Sequence, residues 1–361
     1  MRSVRWGGPF VVALALLLGV GWLGGARAAG PLPPLTGPPL TVATHLRLIV
    51  GDAPPAIFDV DSGTTATVPG VAPVPAPHGG PQIVATVPAP GGAFLTVWDG
   101  RTYTGYFVTV DGGVRRVASA SDMLLAGNSA AVWTLTDASQ GRCKLRLVPG
   151  DRPAVSVPCG NLLLASPLGV AISNGDYVFV VAPSTGHVVR RIRASGQLEP
   201  INASSGSYLL GVSGNSQSSP GKLTLINLAT GGRRPLRWPS ILPWVQRTAV
   251  EPHGPLVAIG FVSAAYPGPQ QASDIWLLNP ATATFTHLPG FPAQESVKYS
   301  NMAWTNNDQL VVVAQSIDSI AHKTTRTVLG VWRPGQTTLR LRSVHTFTNP
   351  GGFSNFVPIA G

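Results

Sequence analysis

A strand–turn unit recurs about seven times between roughly residue 42 and the C-terminus, and this repetition restricts the chain to very few architectures. Its clearest copies are Met302-Ala303-Trp304-Thr305-Asn306-Asn307-Asp308-Gln309-Leu310-Val311-Val312-Val313-Ala314 and Thr248-Ala249-Val250-Glu251-Pro252-His253-Gly254-Pro255-Leu256-Val257-Ala258-Ile259-Gly260-Phe261. A second hairpin follows each, as in Asp274-Ile275-Trp276-Leu277-Leu278-Asn279-Pro280-Ala281-Thr282-Ala283-Thr284-Phe285. Repeats of this length, each made of four short strands, predict an all-β chain folded as one β-propeller.

Each blade is expected to run from an inner strand at the central channel to an outer strand at the rim. The last complete copy places strands at 299–305, 309–316, 327–333 and 338–344, and the one before it at 244–250, 255–262, 274–278 and 284–288. A weaker fifth copy covers 197–237, the fourth 161–192, the third 122–159 and the second 82–118. The first copy offers strands at 46–50, 56–60 and 66–68 but no inner strand. Residues 353–359 (Phe-Ser-Asn-Phe-Val-Pro-Ile) resemble Tyr299-Ser300-Asn301-Met302-Ala303-Trp304, so the C-terminus is expected to supply that strand and close the ring. Closure removes exposed strand edges. Seven four-stranded blades are expected, six if the fifth copy merges with a neighbour, and eight is the third count. The second strands are apolar on both faces, as blades packed face to face require, while Val114-Arg115-Arg116-Val117 and Leu339-Arg340-Leu341-Arg342 suit a solvated rim. Trp98, Trp133, Trp276, Trp304 and Trp332 fall within expected strands and read as packing between blades.

The 361 residues include 42 Gly and 35 Pro, a content that would suit a disordered chain were these residues not spaced as turns between apolar runs. Residues 1–28 read as a signal peptide, with Arg2 and Arg5 before an apolar stretch and Ala26-Arg27-Ala28 as a small-residue cleavage site. The competing reading is an uncleaved anchor through residues 9–25, which would associate the protein with a membrane. Residues 29–41 are Pro-rich and read as an extended linker, leaving 42–361 for the propeller.

Export agrees with the two cysteines. A hairpin centred on Asp151 would set Cys143 opposite Cys159 on adjacent antiparallel strands, within disulfide reach and in an oxidising compartment. The expected location is therefore extracytoplasmic. The formal charge is +10, or +7 without Arg2, Arg5 and Arg27, which favours anionic envelope components as partners. Arg115-Arg116, Arg190-Arg191, Arg193, Arg233-Arg234, Arg340 and Arg342 lie on or beside expected outer strands. Nucleic acid is not expected, because the chain lacks an aromatic-rich basic motif.

At Trp304-Thr305-Asn306-Asn307-Asp308-Gln309-Leu310-Val311 the chain resembles the repeat of TolB-like and WD40-like exported propellers, in which a Trp-Ser-Pro-Asp-Gly turn precedes the second strand. Asp274-Ile275-Trp276-Leu277-Leu278 resembles a later strand of the same repeat, and Glu251-Pro252-His253-Gly254 and Ala229-Thr230-Gly231-Gly232 resemble its turns. The resemblance spans most of 42–360 and implies a propeller with a tendency to bind proteins. The Gly-His and terminal Trp-Asp signatures of WD40 repeats are absent, and no catalytic residue is carried across.

The inventory of reactive groups is thin. Fifteen Asp and Glu and seven dispersed His leave no paired-carboxylate, HxH or HExxH pattern, and no cofactor is expected. Asp59-Val60-Asp61-Ser62-Gly63 starts like a calcium loop but has Gly70 at the twelfth position, so it reads as a hairpin turn. Ser219-Pro220-Gly221-Lys222 matches S-x-x-K but lies in a loop. Glu251, Asn301 and Asn355, all at inner-strand positions, are the set that a channel metal would need; polar lining of a water-filled channel is the plainer account.

The candidate binding site is the entry to the sixth copy. Trp244, Arg247, Glu251 and His253 lie on one inner strand and its flanks, the strand period placing Arg247, Glu251 and His253 on one side, with Tyr299 and Asn301 beside them on the next blade. The functional expectation is a monomeric, exported, non-enzymatic module that binds a protein or envelope component through its loops, including the long 262–273 and 316–327 insertions. The alternative is a lactonase-like hydrolase with a divalent metal in its channel.

Overall fold

The computed structural model describes residues 35, 37–50, 55–71, 82–98, 101–126, 131–214, 220–263, 272–291, 297–317, 324–344 and 356–359. These form seven four-stranded antiparallel sheets in which successive strands are neighbours, the seven blades of a propeller. The innermost strands of blades 2 to 7 are Gln82–Ala89, Asp122–Leu125, Asn161–Ser166, Gln197–Ala203, Trp244–Val250 and Val297–Trp304. Blade 1 takes its innermost strand, Phe356–Ile359, from the C-terminus, in the register Arg47↔Ile359, Leu48↔Pro358, Ile49↔Val357 and Val50↔Phe356. The closure expected from the sequence is therefore present, although residues 353–355 of the expected strand lie outside the described residues.

Burial explains why these segments are strands of these kinds. Gly169–Ser173 is buried along its whole length, and so are residues 310–314 of the corresponding strand of blade 7. Such strands carry apolar residues on both faces because each face meets another blade. The outermost strands alternate or stay exposed, as in Thr65–Thr67 and Arg233–Leu236. Prolines follow the same logic. Pro88, Pro200 and Pro358 sit on innermost strands and Pro158 and Pro235 on outermost ones. Proline has no N–H to give a ladder, so within a sheet it is tolerated only at an edge. The core is thus a ring of inter-blade layers. The layer that closes the ring joins Leu48, Val50 and Phe58 of blade 1 to Val311, Val313 and Leu329 of blade 7, with Phe356 among them. At about 25 cal/mol per Å2 of apolar surface, layers of this kind dominate the stability of the fold.

The segment expected to be a linker does more than connect. Leu35 is buried with Leu288, Phe291 and Leu339 between blades 6 and 7. Pro39 pairs in parallel with Leu341, where Leu40 N–H donates to Leu341 O at 2.8 Å and Leu341 N–H to Pro38 O at 2.9 Å. A Cβ at Gly37 would lie 2.7 Å from Leu339 O, so the close approach of the two chains requires glycine there. The chain then crosses to blade 1, where Asp61 accepts from Thr44 N–H and His45 N–H at 2.9 and 2.6 Å and lies 3.5 Å from the Arg342 guanidinium. Residues 59–63 form the hairpin turn expected for them, with Ser62 N–H donating to Asp59 Oδ1 at 2.8 Å.

Cys143 and Cys159 form a disulfide, with Cα atoms 4.9 Å apart. The pairing is as expected but its register is not. The ladder sets Cys143 opposite Val157 rather than Cys159. The strand ends at Pro158, and Cys159 N–H turns back to Gly141 O at 3.4 Å, which brings its sulfur beside Cys143 from beyond the strand end. The leader and anchor readings of residues 1–28 lie outside the described residues, among which no helix is long and apolar enough to cross a membrane.

Candidate functional site

The polar groups singled out from the sequence lie on or beside innermost strands of blades 6 and 7, but they do not form one cluster. A bulge between Val245 and Arg247 shifts the register of Trp244–Val250 and sets Arg247 opposite Gly260. The Arg247 guanidinium then reaches the neighbouring blade and donates to Asn301 Oδ1 at 2.6 Å. That oxygen also accepts Met302 N–H at 2.8 Å. Burial pulls the Arg247 pKa below the usual guanidinium value, and the negative charge of Glu199 on blade 5 opposes this. Glu199 is itself held by Gln197, whose amide donates to Glu199 Oε1 at 2.7 Å and to Val245 O of blade 6 at 3.2 Å. The result is a polar belt across the innermost strands of three consecutive blades.

Glu251 goes elsewhere. The strand ends at Val250, and Glu251 folds into the following turn, where its carboxylate accepts Leu256 N–H at 2.9 Å. It is 4% exposed, and burial pushes its pKa above the ordinary 4.5, with the Asp308 charge acting in the same direction. A Cβ at Gly254 would run into this carboxyl group, so any larger residue there requires the Glu251 side chain to shift. His253 is exposed and contacts Asp308 of blade 7 at 3.3 Å, and its N–H donates to the same oxygen at 3.1 Å. Trp244 begins the strand at its opposite end, where its indole Nε1 is buried without a hydrogen-bond partner among the described residues. Tyr299 lies on the innermost strand of blade 7 opposite Gln315, and its side chain is outside the described part of the structure. Arg247 and Asn301 thus meet, whereas Glu251, His253 and Trp244 serve separate ends of the blade.

For a channel metal the fit is poor. Asn301 Oδ1 and the Glu251 carboxylate are engaged at different levels of the strand, and Asn355 lies outside the described residues. Among the described residues, the group that could gather about an ion is Asp137, Cys143 and Cys159, whose two sulfurs are joined to each other.

The structure also assembles a constellation that spacing does not announce. Asp274, 3% exposed at the start of a strand of blade 6, accepts from Ser240 Oγ at 2.6 Å and Trp276 Nε1 at 2.7 Å, and its other oxygen lies 2.7 Å from His287 Nε2. Burial alone would raise its pKa; the hydrogen bonds from His287, Ser240 and Trp276 together bring it below the ordinary 3.8. The one sequence signal was Asp274-x-Trp276 inside the repeat. Ser240 is 34 positions away and has no motif of its own.

No family model and no curated protein matches the chain. Solved structures similar to it include TolB from Acinetobacter baumannii, at 11% identity and a TM-score of 0.45 over 82% of this chain and 62% of that one. A structure from Agrobacterium tumefaciens whose description also names TolB aligns at 11% identity and a TM-score of 0.41, over 87% of this chain and 97% of that one. A prolyl endopeptidase aligns at 13% identity and 0.49, over 80% of this chain and 46% of that one. The chain therefore spans less than two thirds of the first and third of these proteins. The likeness concerns the fold alone, and the fold rests on the seven sheets described above.

Proposed function

We propose that this protein is an exported, non-enzymatic propeller that binds a protein or an anionic envelope component. The observation that carries the reading is the rim. Arg115, Arg116, Arg191, Arg193, Arg233 and Arg234 are exposed on outermost strands, and none of them belongs to an ion pair among the described residues. A rigid ring with unneutralised arginines at its edge attracts polyanions and acidic surfaces. Two further points support it. The disulfide suits an oxidising compartment, as the leader-like residues 1–28 do. The inner-strand groups nearest to acid–base chemistry, Arg247, Asn301 and Glu251, are spent on neighbouring backbone and side chains.

Sedimentation of the purified protein with envelope fragments from its host, at low and high salt, tests this reading. Binding that weakens steadily with ionic strength, and weakens again in an Arg233→Glu, Arg234→Glu variant, is the expected result. Absence of sedimentation at low salt, together with no partner recovered by co-purification from the native host, counts against it.

A further inference from the structure

The crevice between blades 5 and 6 opens at the rim into a cleft of about 350 Å3 lined by Arg237, Trp238, Pro239, Trp276, Ala283 and Phe285. Arg237 and Trp238 directly follow the outermost strand of blade 5, and Phe285 lies on the outermost strand of blade 6. Trp238, Trp276 and Phe285 are half-buried, and Arg237 is exposed. Both indole N–H groups are already engaged inside the protein, that of Trp238 with Leu242 O at 2.8 Å and that of Trp276 with Asp274 at 2.7 Å. The edges of the rings are held as well, Trp238 against Phe261 with centroids 5.3 Å apart and Trp276 against His287 at 4.8 Å. What these rings turn to the cleft is therefore rigid carbon surface.

Charge selects among apolar occupants. Arg237 belongs to no ion pair among the described residues, and Asp274, the carboxylate that holds the Trp276 indole, is 3% exposed and engaged by three donors. The outer strand pairs Arg234 with Leu225, on the side away from Ile226 and blade 4, which puts a second exposed cation on the blade-6 side of that strand. A sugar ring needs several polar partners for its hydroxyls, and Arg237 is the one polar side chain in the lining. An aromatic ring beside a carboxylate satisfies both features, the ring against indole and phenyl carbon and the acid on a planar guanidinium. The volume, at the low end for small-ligand pockets, suits one ring rather than an extended ligand.

We propose that this cleft is a peptide-binding site that receives an aromatic side chain carried next to a carboxylate on a partner protein. The proposal rests on the binding role above and gives it a specific contact.

The probes are N-acetyl-phenylalanine, its amide, and glucuronic acid, observed by saturation-transfer NMR with the whole protein. The ring protons of N-acetyl-phenylalanine are expected to receive saturation. Affinity should fall about tenfold or more for the amide, and equally for the acid with Arg237→Ala. Phe285→Ala should abolish the transfer, and a near-ultraviolet dichroism spectrum like that of the native protein establishes that it is folded. Arg237 is exposed and lies outside the strands, so R237A remains informative should F285A misfold. Absence of transfer from N-acetyl-phenylalanine, equal binding of acid and amide, undiminished binding by R237A, or preference for glucuronic acid overturns the proposal. The probe reads the cleft directly: sedimentation with envelope fragments retained in R237A and F285A, with no transfer, sinks the cleft and leaves the binding role standing. Transfer without sedimentation does the reverse.

Discussion

The Arg247 guanidinium on blade 6 donates to Asn301 Oδ1 on blade 7 at 2.6 Å, across 54 positions of sequence, and both residues lie on strands that line the channel. The contact ties two blades at their innermost strands. Burial depresses the arginine pKa, yet a guanidinium stays charged throughout the physiological range.

Arg247→Met keeps the aliphatic stem and removes the charge-assisted bond, so it should cost about 1.5–3 kcal/mol in urea unfolding. Unchanged stability would show that the belt of Gln197, Glu199, Arg247 and Asn301 adds nothing to cohesion between blades. Asn301→Ala should cost a similar amount, because it leaves the half-buried guanidinium without this acceptor.

The ring closure is testable at single residues. Phe356 is 1% exposed and Ile359 is fully buried. Phe356→Ala should lose about 3–5 kcal/mol, and removal of residues 356–361 should lower Tm further and broaden the transition. A truncated chain that melts like the full-length protein would refute closure by the C-terminal strand.

The disulfide joins residues 16 positions apart, so Cys143→Ser with Cys159→Ser should destabilise the protein by about 3 kcal/mol in the chain-entropy account. Reducing agent should lower the Tm of the native chain and leave the double variant unaffected.

Glu251 and Gly254 form a complementary pair. Gly254→Ala drives a methyl into the buried carboxyl group and should cost about 1–3 kcal/mol. Combining it with Glu251→Ala should recover part of that loss. Additive costs in the double-mutant cycle would show that the two positions are not in contact.

Two carboxyl groups should shape acid stability with opposite signs. The Asp274 pKa is below 3.8 in the folded protein, so its contribution is full above the unfolded value and is lost as pH falls through the folded one. The stability gap between native protein and Asp274→Asn should therefore shrink below about pH 4. Glu251 is raised above 4.5, so its contribution is present below that value and fades as pH rises through its folded pKa. Urea melts of D274N and Glu251→Gln at several pH values check both signs.

Blade number, closing strand and disulfide pairing were legible in the chain because each depends on local and repeated information. Turn residues recur after every apolar run, and the 353–359 segment resembles the 299–304 strand. The candidate site was legible only in part. Period-two reasoning placed Arg247, Glu251 and His253 on one side, but the strand ends at Val250, so Arg247 stays on the ladder while Glu251 and His253 pass into the following turn. The Cys143–Cys159 register slipped for a similar reason, since a strand that stops at Pro158 no longer obeys ladder arithmetic.

The sequence by itself determined the architecture: seven sheets, prolines at sheet edges, arginines on outer strands and a ring closed by its own C-terminus. These follow from backbone hydrogen bonding and the alternation of faces, which neighbouring residues dictate. Tertiary structure decided which side chains meet between blades. Arg247 found Asn301, Asp274 gathered Ser240, Trp276 and His287, and Trp238 and Trp276 came to line one cleft. Those contacts depend on how the sheets pack against one another, and no local period in the chain encodes that packing.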